Sequence, residues 1–569
     1  MKKILSNTLI DRAFMAFPIY LIMFCIQTPL SVLDIYGSYY DRYNLVPAIV
    51  IWLAISLILF TVLRLLVPDI HLAGLATLTG LMLLFPKATQ TVPVYPLVAI
   101  AGFGILVTRL CKRNGMALRD AIRIPEKFTY IVNVVAVTMI LAILGRIAYY
   151  NYEVAAEADA VTAKAYAPIS RSVSARKPSS LPHIIHIVLD GYSRADVLRS
   201  VYGFDNAPFL DALRQRGFHI ADKATTPYNQ TLLVMSAIFS LGAVSEPGVI
   251  EIPENDHASL RRQLSRSLKS GVVATMLRDL GYELKSTPST YLPLQWNDVV
   301  QTDGHAPALR QFGLRETYIF SYDLLMNSQV LSPLIGPLLS KYFDIAAIDY
   351  RNLTDVPKRR VSDSTGRPQF VYQHILAPHP PFIITPDGRP RPLGNFPVTL
   401  DDGSHLIQRN NVDPADYRDG YIDKLQYING AILEQIDQLK RTLPGPLIII
   451  LHGDHGGGLH FDQDDRAHSC VNERFSPLLA VYATDPAIAR QFDGDFNLVN
   501  IYRAIFRALL KIDLPNLPNR SMFISWDLQK SAALDPVAME VPCAAPKRTW
   551  TAGKEPSASP RTPPNAISR

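Results

Sequence analysis

The sequence is poor in cysteine, with four among its 569 residues. It contains no Cys-x-x-Cys pair and no Cys/His cluster, which excludes the usual structural zinc sites. Cys25 and Cys111 lie in apolar segments and are expected to behave as small buried hydrophobic groups. Cys470 and Cys543 lie in the C-terminal part, and they could form a disulfide if that part is outside the cytoplasm. The sequence leaves pairing and free thiols equally open.

The sequence also lacks a strong net charge. It carries +6 at pH 7, and basic loops and a basic tail account for most of that surplus. We therefore expect no nucleic-acid partner. The hydrophobic share is high, at 48%, and it is concentrated in residues 1–150. This distribution indicates a membrane-embedded part followed by a soluble one.

Long apolar stretches occupy the N-terminal part. They lie at about residues 13–33, 45–67, 70–85, 93–111 and 128–149. A transmembrane helix needs about 20 apolar residues, and only the third stretch is clearly shorter. Ionisable residues are nearly absent from these stretches, whereas a transporter or proton pump usually buries charges at mid-membrane. The pattern predicts an anchor of five transmembrane helices.

Basic residues predict the orientation of this anchor. They precede the first stretch and separate the fourth from the fifth, at Lys2, Lys3, Arg12, Lys112, Arg113, Arg119, Arg123 and Lys127. The loops on the other side contain only Arg42 and Lys87. The N terminus is therefore expected in the cytoplasm, and five crossings put the C-terminal part outside. We expect a multi-pass protein of the cytoplasmic (inner) membrane.

Composition divides the chain into four parts. Residues 1–150 form the predicted anchor, and the Ala- and Ser-rich segment 151–181 shows no hydrophobic periodicity, so we interpret it as a linker. Residues 182–529 form the predicted soluble domain. The segment 530–569 is rich in Ala, Pro, Ser, Lys and Arg and is expected to be disordered.

Buried strands alternate with helical patterns in the soluble part. The strand-like runs are His183–Leu189, Gln369–Ile375, Pro446–Leu451 and Leu478–Ala483, and helical patterns include 206–216 and 417–441. This alternation predicts an α/β fold. Ligands of such sheets bind outside the carboxyl ends of the strands. Two of the runs deliver acidic and imidazole groups to that edge.

The most specific of these groups follow the run at 446–451. The string His452-Gly-Asp454-His455-Gly-Gly-Gly places an Asp oxygen and a His nitrogen beside glycines that allow close backbone approach. Such ligands suit a divalent transition metal. Asp190 ends the run at 183–189 in the same way, although an Asp before Gly is also common in plain turns.

Three further residues are candidates for chemistry. Thr231 starts an apolar helical segment, where the helix dipole and a metal could lower the pKa of its hydroxyl and make it a nucleophile; a helix N-cap is the simpler interpretation. His379 follows a strand between prolines, and the alternative for it is a surface-loop histidine. His468 follows the Asp454-His455 loop and precedes a strand.

Four strings together resemble the alkaline phosphatase and sulfatase superfamily. They are IVLDGYSRADVL, YNQTLLVMSAIFS, HILAPHPPF and LHGDHGGG, and they occur in the order typical of that superfamily. The resemblance covers about residues 183–525. It is greatest to the membrane branch, which contains lipoteichoic acid synthases, phosphoethanolamine transferases and membrane sulfatase-like proteins, and the five-helix anchor is similar too.

The resemblance implies an α/β/α sandwich of alkaline phosphatase type and a site for one divalent metal ion, zinc or manganese. Asp190, Asp454 and His455 would be metal ligands, and Thr231 would be both nucleophile and fourth ligand. His379 and His468 would bind the phosphate or headgroup and take part in catalysis. Arg194 occupies a position where the transferases often have arginine and could pair with an anion.

The sequence departs from the pattern at several points. The transferases usually have Glu where this chain has Asp190, and their motif after Asp-His-Gly usually carries a Glu and a Leu-Gly, where this chain reads Gly-Gly-Leu-His-Phe. The sulfatase signature Cys-x-Pro-x-Arg is absent, which argues against sulfate-ester hydrolysis.

The expected function is metal-dependent phosphoryl transfer from a phospholipid to an envelope lipid or glycan, with membrane and substrate as partners. The covalent intermediate would be a phospho-threonine at Thr231. A phosphoester hydrolase of the same fold is the nearest alternative, and a catalytically idle lipid-binding regulatory protein is a second.

Overall fold

The computed structural model describes residues 9–36, 45–84, 126–242, 257–301, 345–534 and Cys543, apart from short gaps inside these ranges. The described residues fall into two compact units, which meet along the chain at Tyr152 and Glu153.

The first unit is helical. Its helices are α1 (Leu9–Ala16), α2 (Tyr20–Tyr36), α3 (Leu45–Leu66), α4 (Ile70–Leu84) and the first part of α5 (Glu126–Ala175). Four of the five predicted apolar stretches therefore correspond to helices, and the stretch at 93–111 lies outside the described residues. Among described residues, one segment is long and apolar enough to cross a membrane, Glu126–Tyr149, with a mean hydropathy of 2.3. Shorter apolar helices cover Tyr20–Leu30, Ile49–Leu65 and Ile70–Met82.

A proline interrupts the first predicted stretch, 13–33. Pro18 has no N–H to bond the carbonyl of Phe14 four residues earlier, and the helix stops between α1 and α2. Asn133 of α5, which is buried, replaces the missing bonds. Its Nδ2 donates to the carbonyl of Phe14 and its Oδ1 accepts from the N–H of Tyr20. In an apolar environment such pairing is required of every backbone group.

The second unit contains a mixed seven-stranded sheet. Its strands are β1 (His183–Leu189), β2 (His219–Ile220), β4 (Glu283–Ser286), β5 (Val300–Gln301), β6 (Gln369–Ile375), β7 (Leu447–His452) and β8 (Leu479–Ala483), in the order β2-β8-β7-β1-β6-β4-β5. The strands from β7 to β5 are parallel, and β8 is antiparallel to both of its neighbours. Smaller pairings join β3 (Lys223–Thr225) to β9 (Asp495–Asn497) and β10 (Met522–Ile524) to β11 (Ser531–Ala533).

Helices cover both faces of this sheet. They are α6 (Ala195–Tyr202), α7 (Ala207–Gln215), α8 (Thr231–Phe239), α9 (His257–Ser270), α10 (Val272–Leu280), α11 (Ile345–Thr354), α12 (Pro414–Thr442), α13 (Val471–Phe475), α14 (Pro486–Ala489) and α15 (Ile501–Leu510), with short 3-10 turns at Leu292–Leu294, Val356–Lys358, Arg466–His468, Arg490–Phe492 and Leu498–Asn500 and a π-helical turn at His405–Arg409.

The central strands supply side chains to two separate hydrophobic cores, because successive residues of a strand point to opposite faces. In β1, Ile184 and Val188 pack with α8, α10 and α15, whereas Ile185 and Ile187 pack with α6, α7 and α12. The predicted α/β fold is therefore confirmed, with a three-layer α/β/α arrangement in this unit.

The segment expected to be an irregular linker, 151–181, is mostly helical, because α5 continues to Ala175. Its Ala-rich composition favours helix. Val173 is buried in the core of the second unit, and Ile169 packs against it. Asp159 also pairs with Arg266 of α9. The sequence did not indicate that this segment is a packed helix, because its apolar residues that contact the core are few and lie among small residues.

Most of the tail predicted to be disordered, 530–569, lies outside the described residues. Within it, β11 pairs with β10, which corrects the start of the predicted tail. Cys543 is bonded to Cys470, so the structure contains the disulfide that the sequence left open.

Candidate active site

The candidate residues lie at one edge of the sheet. β7, β1 and β6 are adjacent and parallel, so their carboxyl ends meet. Asp190 follows β1, His379 follows β6, and Asp454 and His455 follow β7. The backbone N–H of His379 donates to the carbonyl of Asp190 at 3.0 Å, which joins two of these loops directly.

Asp190, Asp454 and His455 form a compact group. One ligand atom of each lies within 4.8 Å of the others. Nε2 of His455 is 3.2 Å from Oδ2 of Asp454 and 3.8 Å from Oδ1 of Asp190. All three residues are buried. Asp190, which is 264 positions or more before the other two residues in the sequence, is thus brought beside them by the adjacent parallel strands β1 and β7.

One oxygen of each carboxylate has a polar neighbour outside the group, and the other oxygen faces the group. Oδ2 of Asp190 lies 3.2 Å from Nε2 of His374, and Oδ1 of Asp454 accepts the N–H of Gly191. The remaining oxygens, Oδ1 of Asp190 and Oδ2 of Asp454, are buried without a hydrogen-bond partner. Unpaired buried carboxylate oxygens are costly, which is the pattern expected where a cation completes the site.

The histidine of the group is oriented in the same manner. Nδ1 of His455 donates to the carbonyl of Gly456 at 2.9 Å, so the lone pair of the neutral ring is on Nε2, which faces the two carboxylates. Burial is the main reason that the pKa of His455 is lowered, and the guanidinium of Arg474 adds to the effect. A neutral imidazole nitrogen and two carboxylate oxygens fit a divalent ion such as zinc or manganese.

Charges nearby keep Asp190 ionised. Burial opposes its ionisation, but the surrounding histidines, His379 first, outweigh burial and lower its pKa. An ionised carboxylate is the form that binds metal.

Thr231 completes the group. It is the first residue of α8, and its Oγ1 lies 3.1 Å from Nε2 of His455. Gln230, not Thr231, occupies the N-cap position. The loop before it is held to β10, because Asn229 exchanges two hydrogen bonds with the backbone of Ile524. The hydroxyl therefore has a defined position at the positive end of a helix dipole.

Two other predicted residues make different contacts. His468 is in the 3-10 turn, half exposed, and its Nδ1 pairs with Asp465 at 2.7 Å. Arg194 pairs through two nitrogens with Asp196 and donates through the third to the carbonyl of Ala224. Among the residues that the structure describes, neither side chain contacts the group around His455.

The arginine that does contact this group was not predicted. Nη2 of Arg474 is 3.1 Å from Nε2 of His455, and its Nε donates to the carbonyl of Asn229. It forms a buried ion pair with Asp402. Burial opposes ionisation of Asp402, but Arg474 outweighs burial and lowers its pKa to about 2. Arg474 thus joins the loop before Thr231 to the loop after β7.

Close packing explains the glycines after His455. A Cβ on Gly456 would lie 1.9 Å from the carbonyl oxygen of Glu473, so no larger residue fits there. The Glu473 side chain is fully buried and accepts the N–H groups of Leu459 and His460. Burial raises its pKa. Glu473 therefore holds the backbone of the loop that follows His455. Sequence spacing did not indicate this role.

No protein-family model matches this chain, and no curated protein matches it. Solved structures do match. The C-terminal periplasmic domain of EcEptC from Escherichia coli is 12% identical, with 63% of this chain and 94% of that one covered and a TM-score of 0.37. The integral membrane protein lipooligosaccharide phosphoethanolamine transferase A from Neisseria meningitidis is 12% identical over 88% of this chain and 96% of its own, with a TM-score of 0.35.

A phosphonate monoester hydrolase of Agrobacterium radiobacter is 13% identical over 60% of this chain and 80% of its own, with a TM-score of 0.30. These proteins belong to the superfamily that the sequence motifs resemble. At these TM-scores the likeness carries no argument about substrate or activity.

Proposed function

We propose that this chain is a membrane-bound, metal-dependent phosphoryl-group transferase that acts on envelope lipids or glycans, with Thr231 as the nucleophile. One observation carries the proposal. A helix-start hydroxyl lies 3.1 Å from an imidazole nitrogen, and that nitrogen borders two buried carboxylates, each with one unpartnered oxygen.

Asp190, Asp454 and His455, together with Thr231, are the residues that would hold the cation. A bound zinc or manganese ion lowers the pKa of a hydroxyl at the site and offsets charge on phosphoryl oxygens. The helix dipole of α8 adds positive potential at the same place.

In the first half-reaction, Oγ1 of Thr231 forms a bond to phosphorus while the bond from phosphorus to the leaving alcohol oxygen breaks. The hydroxyl proton passes to water. The leaving oxygen takes a proton from Nε2 of His379. In the second half-reaction, the acceptor hydroxyl oxygen forms a bond to phosphorus and gives its proton to His379. The bond from phosphorus to Oγ1 of Thr231 breaks, and that oxygen regains a proton from water.

The anion and the headgroup need separate contacts. We propose His468 as a headgroup contact, since its side chain is half exposed and it lies on the chain segment that connects His455 to β8. Arg194 would have to release Asp196 to reach a phosphate, so we assign it no contact with the anion.

The anchor fits this chemistry. Residues 1–150 would hold the domain at 182–529 on the extracytoplasmic side, close to lipid. Confinement near the bilayer raises the effective concentration of a lipid donor.

The central test uses full-length protein in detergent micelles with labelled phospholipid donors, phosphatidylethanolamine among them. Thr231→Ala removes the nucleophile, and turnover is expected to fall by more than about 10³-fold, whereas Thr231→Ser keeps a hydroxyl and part of the activity. Ser240→Ala, which removes a buried hydroxyl at the far end of α8, is the matched control. Mass spectrometry should find the transferred phosphoryl group, with the headgroup ester that the donor carries, on Thr231 of wild-type protein quenched without acceptor.

Full turnover by the Thr231→Ala protein would refute the mechanism. Product formation that does not depend on an added acceptor would make the protein a hydrolase. Metal binding without any turnover or phospho-threonine would favour the idle lipid-binding alternative.

A further inference from the structure

The loop that carries His379 has few backbone donors of its own. Between Ala377 and Phe382 the chain contains Pro378, Pro380 and Pro381, and proline has no N–H. The loop can therefore be held to the rest of the molecule mainly by hydrogen bonds that its carbonyl oxygens accept. Carbonyls need donors from elsewhere in the molecule.

Lys424 of α12 supplies those donors. Its Nζ donates to the carbonyl of His379 at 2.9 Å and to the carbonyl of Pro381 at 3.1 Å. Its third bond is to Oδ2 of Asp349, at 2.9 Å. An ammonium has three donors, so all three are used. The two carbonyls lie on either side of Pro380, and one side chain therefore fixes the backbone on both sides of the residue whose carbonyl accepts from the histidine ring.

This arrangement is costly to build. The side chains of Lys424 and Asp349 are 0% and 1% exposed, and burying an ion pair often contributes less stability than apolar residues of the same volume. Stability alone does not account for such a pair. Its geometry does something that an apolar pair cannot, because only an N–H donor can bridge the two carbonyls.

The bridge determines where His379 can exchange a proton. Nδ1 of His379 donates to the carbonyl of Pro380 at 2.7 Å, and its backbone N–H donates to Asp190. Nε2 is then the ring nitrogen left to face a substrate. The position of Nε2 depends on the backbone at 379–381, which Lys424 holds.

We propose that Lys424, paired with Asp349, is a positioning residue that aligns His379 for proton transfer to the leaving alcohol. This inference rests on the proposed function, in which His379 protonates that oxygen. Lys424 does not touch the reacting atoms, and its effect should therefore appear only where protonation of the leaving group matters.

Two double variants isolate the bridge. Lys424→Met with Asp349→Asn removes both charges and all donors to the loop. Lys424→Gln with Asp349→Asn also removes both charges but keeps amide N–H donors that can bond the carbonyls. Gln438→Met, which alters another buried polar residue of α12, is the control for the helix itself.

Each full-length variant is assayed in micelles with two phosphodiesters. One has a 4-nitrophenol leaving group, which departs without protonation, and the other is a fluorescent phospholipid with an alkyl leaving group. The Met variant should lose about 10²-fold in kcat with the lipid while its KM stays within about threefold, and it should retain turnover of the aryl ester. The Gln variant should recover at least about tenfold with the lipid.

The outcomes separate the inference from the function on which it rests. Equal losses with both esters would assign Lys424 to folding alone and overturn the inference, as would full lipid turnover by the Met variant. His379→Gln should itself show the lipid-selective loss. If it does not, the role of His379 in the proposed function is wrong, whatever Lys424 does.

Discussion

Acid is expected to destabilise this protein through two histidines buried in the sheet. His186 of β1 and His452 of β7 are fully buried, and their Nε2 atoms are 2.7 Å apart. Nδ1 of His452 donates to the carbonyl of Gly453, so its Nε2 accepts. His186 must then donate through Nε2 and accept at Nδ1 from the hydroxyl of Tyr502, at 2.6 Å.

This chain of hydrogen bonds requires both rings to be neutral. Burial is the main reason that the pKa of His452 falls to about 4 from its usual 6.5. Burial also lowers the pKa of His186, and His452 adds to the effect. A proton on Nε2 of His452 would place two donors face to face, and a charge on either ring would be buried.

The size and sign of the effect follow from the two pKa values. The stability that neutral histidines provide is present in full above the unfolded-state pKa and is lost as pH falls, because the unfolded chain then binds protons that the folded one does not. Each such histidine costs roughly 1.4 kcal/mol per pH unit. Between pH 6.5 and about 4, His452 alone is expected to lower the free energy of unfolding by about 3 kcal/mol, and His186 adds to this.

The control is a triple variant of this protein that carries His186→Leu, His452→Leu and Tyr502→Phe together. Removing the three side chains together takes away every partner in this chain except the carbonyl of Gly453, which loses its donor, so the stability at pH 7 should fall by no more than about 1–3 kcal/mol. Urea titrations of both full-length proteins in detergent, from pH 7 to pH 4.5 with chelator throughout, give the free energies of unfolding. Fluorescence of the buried Trp296 reports the transition. The wild-type value should fall more steeply, and equal slopes in the two proteins would refute the argument.

Two further variants test the packing around the site. Arg474→Met removes the ion-pair partner of the buried Asp402 and should reduce the free energy of unfolding by about 3–5 kcal/mol. Adding Asp402→Asn to this variant should restore most of the lost stability. No recovery in urea titrations would contradict the ion-pair explanation. Phe239 is fully buried beside His186 and Trp296, and Phe239→Ala should reduce the free energy of unfolding by about 3–5 kcal/mol. The metal content per folded protein should stay unchanged. A loss of metal at equal folding would show that the core and the site are coupled.

The sequence alone was informative for polar side chains that directly follow a strand or begin a helix. Asp190, Asp454 and His455 each follow a buried apolar run, and Thr231 starts an apolar helix. The edge to which those ends point depends only on strand direction. Local pattern therefore predicted the α/β fold. The grouping of the four residues was implied by the resemblance of their sequence strings to a known superfamily, and the shared edge of parallel strands is consistent with it.

The tertiary structure decided which side chains support that group. Lys424 and Asp349 are 75 residues apart, and Arg474 and Asn229 are 245 apart, so no local spacing indicates either contact. Arg194 matched a family position, yet its nitrogens are taken by Asp196 and a carbonyl. The strength of a hydrogen bond or ion pair depends on burial and on competing partners. Both burial and competing partners are set only when distant segments pack together, which is why the sequence indicated the candidate site residues but not the residues that hold them.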